Sequence, residues 1–456
     1  MTLFRYDEVS GRVTRASILQ QVIEMSYIKR IGSILGINRE NRVLWGVCIG
    51  HGFTHWLPFT FYLLLPFIKD ELGLSYMEMG LLVSFRSMGS IVSGIPSGMI
   101  ADLIGKHSLI LTIAMSWVGI PYFFVGMSSN YTIVLLCMLL MGMGNNLWHP
   151  AAMSMLRDTY PRKAGQAVGW HYSAAHIGDA LGPFMSGTLL AWFTWRYILQ
   201  GISIPGFGMA VLIWWLLRTP QSESLRLPEK DGSGNQTMRK QRPTVREYFK
   251  GLGRLLIDPN ILLLSLISGV RTLTQSGLHS FLPSFFMNLL QFSPWLSGIF
   301  MTIIQVTGII AGPISGSMSD RHGPRRVVTA ALFSTSLAIF LLAFLNIPWL
   351  FVVFLGAMGF FLYSLTPVLI AWIMEVAPKE LEGSVVGLQF SLQAAFGALA
   401  PALGGWIADQ WGLLYTFYFL GAVLLLSNLL VIFTKSPVRA ETGNGESKRP
   451  AMKGPS

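Results

Sequence analysis

The sequence predicts an all-α polytopic membrane protein: twelve transmembrane helices in two pseudo-symmetric six-helix bundles. Three observations predict it. Of 456 residues, 52% are hydrophobic and only 12% charged, about half the charge of an ordinary soluble domain, so lipid must solvate much of the surface. Twelve apolar runs approach or exceed the roughly 20 residues that a spanning helix needs. And the first half of the chain repeats in the second at a constant offset.

In chain order, residues 1–42 form a cytoplasmic N-terminal segment. Glu24, Lys29 and Arg30 interrupt its apolar residues, which excludes a secretory leader. Residues 16–35 read as an amphipathic helix on the membrane face, or else as a disordered or partner-binding tail. The N-terminal bundle, 43–217, holds runs at about 43–67, 76–100, 108–127, 131–155, 166–192 and 195–217. A polar, basic linker follows at 218–259. The C-terminal bundle, 260–434, holds runs at about 260–288, 294–317, 327–346, 348–374, 384–408 and 412–434. Residues 435–456 are a cytoplasmic disordered tail. A closed β-barrel would alternate polar and apolar residues; runs such as "LAIFLLAFL" do not. Cys48 and Cys137 both fall in apolar runs and suggest no disulfide framework.

The net charge of +11 does not point to nucleic acid, because its distribution follows a membrane. With both termini cytoplasmic, all but four of the 33 Lys and Arg lie on the cytoplasmic side; Lys69 and Arg196 lie outside, and Arg86 and Arg271 within helices. That is the positive-inside asymmetry. It predicts a multi-pass protein of the cytoplasmic (inner) membrane, expected to be a monomer.

The repeat is exact in spacing. An offset of 218 carries Gly80 to Gly298, Gly94 to Gly312, Asp102 to Asp320, Gly165 to Gly383, Gly169 to Gly387 and Pro183 to Pro401. It also superposes two charged loops between the second and third helices of each half. One is Gly98, Asp102, Gly105 and Lys106; the other is Gly316, Asp320, Arg321, Gly323, Arg325 and Arg326. The pattern G-x-x-x-D-x-x-G with basic residues after it resembles the signature loop of the major facilitator superfamily, and the resemblance covers all twelve helices. It implies that Asp102 meets the start of the eleventh helix and Asp320 the start of the fifth. Those contacts would latch the cytoplasmic side, with Arg157 and Glu375 joining as ion pairs. A topology-fixing basic turn is the plainer alternative. "GMIADLIGKHS" is not a phosphate-binding loop: six residues separate Gly98 from Gly105 where four are needed, and His107 follows Lys106. With no nucleotide site and no cofactor expected, transport would run on a gradient.

Ionisable side chains inside a bilayer are costly and mark pathways. Here they are His51, His55, Arg86, His149, His171, His176, Asp179, Arg271 and His279. Helical spacing places His51 with His55, His176 with Asp179, and Arg271 with Gln275 and His279. Arg86, Ser90, Ser93 and Ser97 form a further stripe, and Gln389 with Gln393 mark one face of the eleventh helix. These faces, with Asn145, Asn146 and His149, are expected to line a cavity between the halves. Asp179 is its one deep carboxylate among many basic groups, so the cavity should attract an anion. The planar fork of Arg86 or Arg271 suits a carboxylate or phosphonate, although each could instead brace Asp179 or helix carbonyls. Asp179 with His176 is the candidate proton relay, with structural pairing of Asp179 to an arginine as the alternative. The "HGFTH" pair resembles metal ligands, but Gly52 stands where a zinc-protease motif needs Glu; pore-lining histidines and no metal are expected.

"GMGNNLWHPAAMSML" and "GDALGP" are similar to the fosmidomycin-resistance type of facilitator, with His149 and Pro150 matching and Trp148 in place of its phenylalanine. The fifth helix departs from that type, having histidines in "HYSAAHIG". The expected function is secondary active transport by alternating access, carrying a small organic anion or anionic drug, with proton-coupled efflux. Proton-coupled uptake of a carboxylate nutrient is the alternative, and a non-transporting facilitator-fold sensor a third. No nucleophile elbow or metal triad supports an enzyme.

Overall fold

A computed structural model describes residues 41–104, 106–217, 258–345, 347–377 and 382–434. The expected amphipathic helix at 16–35, the linker up to residue 257 and the tail from 435 lie outside the described residues. The described residues contain helices and no strand. Twelve long helices are found. The first six are α1 (Arg42–Leu72), α2 (Tyr76–Ile104), α3 (His107–Met127), α4 (Tyr131–Thr159), α5 (Ala164–Leu189) and α6 (Trp195–Leu217). The second six are α7 (Pro259–Ser284), α8 (Pro294–His322), α9 (Pro324–Leu341), α10 (Pro348–Val376), α11 (Glu382–Trp411) and α12 (Leu413–Phe433).

Nine of the described helices are apolar and long enough to cross a membrane on composition alone. The other three are α1, α2 and α5, which carry His51, His55, Arg86, His171, His176 and Asp179. Their polarity is what the interior uses. Several helices outrun their apolar stretches. α8 continues through Asp320 to His322, so most of "GSMSDRHGPRR" is helix and not turn. The reversal itself is confined to Gly323, at φ 88°, a conformation open to glycine, with Pro324 starting α9.

Within each half the packing repeats. α1 lies on α5 and α2 on α4, as α7 lies on α11 and α8 on α10. Between halves the main contacts are α2 with α11 and α5 with α8, which are images of each other under the 218-residue offset. Arg42 Nε donates to the Leu216 carbonyl at 2.5 Å, so the start of α1 sits against the end of α6 at what we term the terminal end.

The halves meet at the opposite, remote end. A Cβ on Gly80 of α2 would lie 2.0 Å from the Pro401 carbonyl oxygen of α11. A Cβ on Gly298 of α8 would lie 2.5 Å from the Pro183 carbonyl oxygen of α5. Only glycine lets the backbones approach this closely. Toward the terminal end the same helices part: Gly165 and Gly169 of α5, and Gly312 and Gly316 of α8, have no described atom within 4 Å of a Cβ position. The fold is therefore closed at the remote end and spread at the terminal end.

A carboxylate fastens the closed end. Ser75 and Glu78 form a capping box, Ser75 N–H donating to Glu78 Oε2 at 2.8 Å and Glu78 N–H to Ser75 Oγ at 3.1 Å. The two amides between them, Tyr76 and Met77, donate across the seam to the Oδ1 and Oδ2 of Asp409 on α11, each at 2.8 Å. The first turn of α2 thus completes its hydrogen bonds only when the halves touch. Glu71 and Arg196 brace the same rim at 2.7 Å, and that guanidinium, with the Trp195 N–H, holds the Glu71 carboxyl below its usual range. Of the latch expected at the terminal rim, the side chain of Asp102, Gly105 and the side chains opening α11 lie outside the described residues, while Lys106 and Asp320 are exposed. Arg157 and Glu375 are exposed and make no ion pair among the described residues.

A helix-start carboxylate at the surface contributes about 0.3–1 kcal/mol. Asp409→Asn should therefore shift the balance away from remote-end closure by about two- to fivefold. Spin labels at the exposed Met127 and Trp411 should report a larger long-distance fraction; an unchanged distribution would show that Asp409 does not hold the seam.

Candidate functional site

α1 carries His51, His55 and Tyr62 at helical spacing, so one face points three polar groups inward. α5 can lie directly against it because a Cβ on Gly178 would meet the Gly52 carbonyl oxygen at 1.9 Å. That contact requires glycine at 178, and a Cβ on Gly52 would in turn lie 2.9 Å from the Ala174 carbonyl oxygen. The close crossing brings His171, His176 and Asp179 onto the α1 histidines. His51 Nδ1 lies 2.8 Å from the His171 carbonyl oxygen, and the two rings stack at 3.7 Å with planes 6° apart. His55 Nδ1 lies 2.8 Å from Asp179 Oδ1, and His176 Nδ1 lies 3.6 Å from Oδ2. Pro150 removes a backbone donor within α4, and His149 beside it turns its ring edge to His51 at 5.2 Å.

Asp179 is therefore bonded by the His55 imidazole, with that of His176 3.6 Å from its other oxygen. The expectation that an arginine might pair with it is not met: no described carboxylate lies within ion-pair distance of Arg86 or Arg271. Arg86 Nη2 donates to the Tyr62 hydroxyl at 3.0 Å, with its guanidinium 5.5 Å from that ring. Arg271 is only 5% exposed, and its Nε has no hydrogen-bond partner. A buried guanidinium without a carboxylate is a costly arrangement unless a ligand anion completes it.

The second half adds a network that its sequence only partly announced. His279 Nε2 lies 3.3 Å from Gln305 Nε2 and 3.4 Å from the Tyr363 hydroxyl, which donates to Gln305 Oε1. This network crosses to the first half, the His279 ring lying 4.8 Å from Phe59 and 5.5 Å from Tyr62, and Tyr363 lying 5.4 Å from His176. Tyr62, Gln305 and Tyr363 were missed from sequence. Tyr62 could have been found, standing seven residues beyond His55 on the same face.

Other expected cavity groups serve as braces. Gln389 and Gln393 both donate to Ser268 Oγ, at 3.1 and 2.8 Å, tying α11 to α7. Asn146 Nδ2 donates to the Ser90 carbonyl and Ser90 Oγ to Gly142, so this part of the α2 serine stripe faces α4. Ser93 and Ser97 bond to their own helix. Asn145 Oδ1 is buried and unpartnered, and Gln275 is half-buried beside Arg271.

The model of the Major Facilitator Superfamily matches residues 47–316 and, in a second match, 264–455. The chain belongs to the major facilitator superfamily. It is a secondary transporter and multi-pass membrane protein, not an enzyme, and its bacterial relatives place such proteins in the inner membrane. One relative of this superfamily member is the hexuronate transporter of Bacillus subtilis (strain 168), 24% identical over 84% of this chain and 92% of that one. Another is the multidrug resistance protein MdtG of Yersinia enterocolitica, 23% identical over 88% and 94%. In fold, a bacterial homologue of the human lysosomal transporter Spinster, solved inward-facing and unoccupied, gives a TM-score of 0.69 at 16% identity, over 86% of this chain and 95% of that one. The nucleoside transporter NupG gives 0.70 at 12% identity, over 86% and 99%.

Tyr363→Phe would strip Gln305 Oε1 of its donor in a buried site. A cost of about 1–3 kcal/mol follows, read as a lower melting temperature of the purified protein; unaltered melting would mean that the network contributes nothing to the fold.

Proposed function

We propose that this facilitator exports a small organic anion or anionic drug, with Arg271 as the principal anchor for the acidic group and Arg86 beside Tyr62 as a second. The observation that carries this reading is the buried Arg271 guanidinium with no carboxylate partner among the described residues. Its planar fork matches a carboxylate or phosphonate with two parallel hydrogen bonds. His279, Gln275 and Asn145 are available for the remaining polar groups of the cargo. The hexuronate relative supports an acidic cargo, since a uronate carries a carboxylate. The multidrug resistance relatives support efflux. Uptake of a carboxylate nutrient is the second reading, favoured by that same hexuronate relative.

The driving ion in this proposal is the proton, assigned to Asp179 and His176 from their place in the fold. Asp179 joins α1 to α5 through His55, while the His176 ring touches Tyr363 of the other half. A change there is felt across the seam between the bundles. Both termini are assigned to the cytoplasm, so that the spread terminal end faces the cytoplasm and the Asp409 clasp the outside, and the working unit is a single chain.

Proteoliposomes with an imposed pH gradient test the proposal. The wild type should move labelled uronates or other organic acids, and a protonophore should abolish accumulation. Arg271→Ala should lower apparent affinity roughly 10–100-fold, as expected for a lost charge-assisted hydrogen bond of about 1.5–3 kcal/mol, with Arg271→Lys intermediate. Full transport by a well-expressed Arg271→Ala protein would end the reading.

A further inference from the structure

The histidines of the first half form an arrangement that neither anion binding nor proton coupling requires. His51, His55 and His149 each bring a ring nitrogen into a set lying within 4.8 Å of one another. Their three ring planes are close to mutually perpendicular, at 83°, 90° and 82°. Histidines gathered only to hydrogen-bond would show partners for their nitrogens. Here the Nε2 of His51 is buried and has none, and neither ring nitrogen of the His171 stacked on it has one, so the cluster holds nitrogens that a ligand would satisfy.

The supporting contacts sharpen the point. A metal-ligating histidine usually offers one nitrogen to the ion and gives its other N–H to a carboxylate or a backbone carbonyl, which fixes the ring and raises its basicity. Two of the three rings are held this way. His55 Nδ1 is 2.8 Å from Asp179 Oδ1, and His51 Nδ1 is 2.8 Å from the His171 carbonyl oxygen. In both rings Nε2 is the atom left over. Asp179 also supplies a negative charge close to where a cation would sit.

From these contacts we infer a binding site for a divalent transition-metal ion, with His51, His55 and His149 as its protein ligands and Asp179 and the His171 carbonyl orienting two of them. Three imidazoles without a thiolate favour zinc, nickel, copper or cobalt over magnesium or calcium, which prefer oxygen. Nitrogens sharing a tetrahedral ion at about 2.0–2.1 Å stand roughly 3.3 Å apart. Movement of the half-buried His149 ring toward the two held rings would contract the set to that size, with His51 fixed under the His171 ring and His55 on Asp179. Three protein ligands leave one coordination position for water or for an acidic group of a bound molecule. The sequence showed only the α1 pair; the third ligand comes from α4, ninety-odd residues away, and the fold alone brings it in.

The test is a Co²⁺ titration of the detergent-purified full chain, carrying an affinity tag without histidines, followed by visible absorption and calorimetry. The wild type should take up one Co²⁺ per chain with the absorption of a four- or five-coordinate nitrogen site. His149→Ala should weaken binding at least tenfold and erase that absorption. Asp179→Asn should weaken it about 10–100-fold, as loss of an orienting contact does. His279→Ala, which removes a buried histidine from the other half, should bind as the wild type does. Should His149→Ala fail to fold, His55→Gln replaces it. A wild type that binds no Co²⁺, or a folded His149→Ala or His55→Gln chain that binds it as tightly as the wild type, would overturn the assignment. The readout involves no transported anion, so its failure is separate from failure of the export proposal.

Discussion

Two glycines and two prolines, related by the duplication, hold the halves together by backbone contact: Gly80 against the Pro401 carbonyl and Gly298 against the Pro183 carbonyl. Each contact is the other's image, since 80 and 183 become 298 and 401 under the offset of 218. Side chains larger than hydrogen at either glycine would drive the bundles apart. Because the crossing sits near the remote end, the helices that make it, α2 with α11 and α5 with α8, diverge toward the terminal end. The interface between the halves is therefore tight at one end and spread at the other. Asp409 adds to this closure a device made of polar atoms, since the first turn of α2 finds partners for two amides only on the opposite half.

Charge between the halves is arranged in two unlike parts. In the first half, the single deep carboxylate is engaged by His55 and lies within 3.6 Å of His176. In the second, Arg271 is buried with no carboxylate to neutralise it among the described residues. Had Asp179 paired with an arginine, the interior would be close to neutral and would offer an anion little. Instead the imidazoles take up the carboxylate, and the guanidinium stands without a counter-ion among the described residues. The two parts touch through aromatic rings, His176 on Tyr363 and His279 on Tyr62.

Much of this could be read from the chain. Spanning helices announce themselves by apolar length, and the duplicated glycines and prolines gave the repeat that became the seam. The polar stripes on α1, α5 and α7 were visible because helical spacing puts them on single faces. Three things were not visible. The charged stretch from Gly316 reads as a loop, whereas helix α8 runs through it and the chain reverses only at Gly323, because nothing in a charged sequence forbids helix once it leaves lipid. The Asp409 contact joins residues 333 apart, and a carboxylate near a helix end gives no sign of which foreign helix start it will meet. Gln305 and Tyr363 lie in otherwise apolar runs and acquire meaning only from the His279 that the fold brings to them. Helical spacing puts Gln389 and Gln393 on one face and the bend at Pro150 presents Asn146, but neither shows that their hydrogen bonds brace helix against helix.

The central claim, that a cation left without a counter-ion selects acidic cargo, is most directly tested by a thermal-shift screen of the purified protein. Sugar acids, other carboxylates and phosphonates would each be paired with an uncharged amide or ester of the same shape. At least one acid should stabilise the wild type while its neutral twin does not, and Arg271→Ala should lose that distinction. Stabilisation by neutral or cationic compounds alone, or by acids equally in Arg271→Ala, would contradict it.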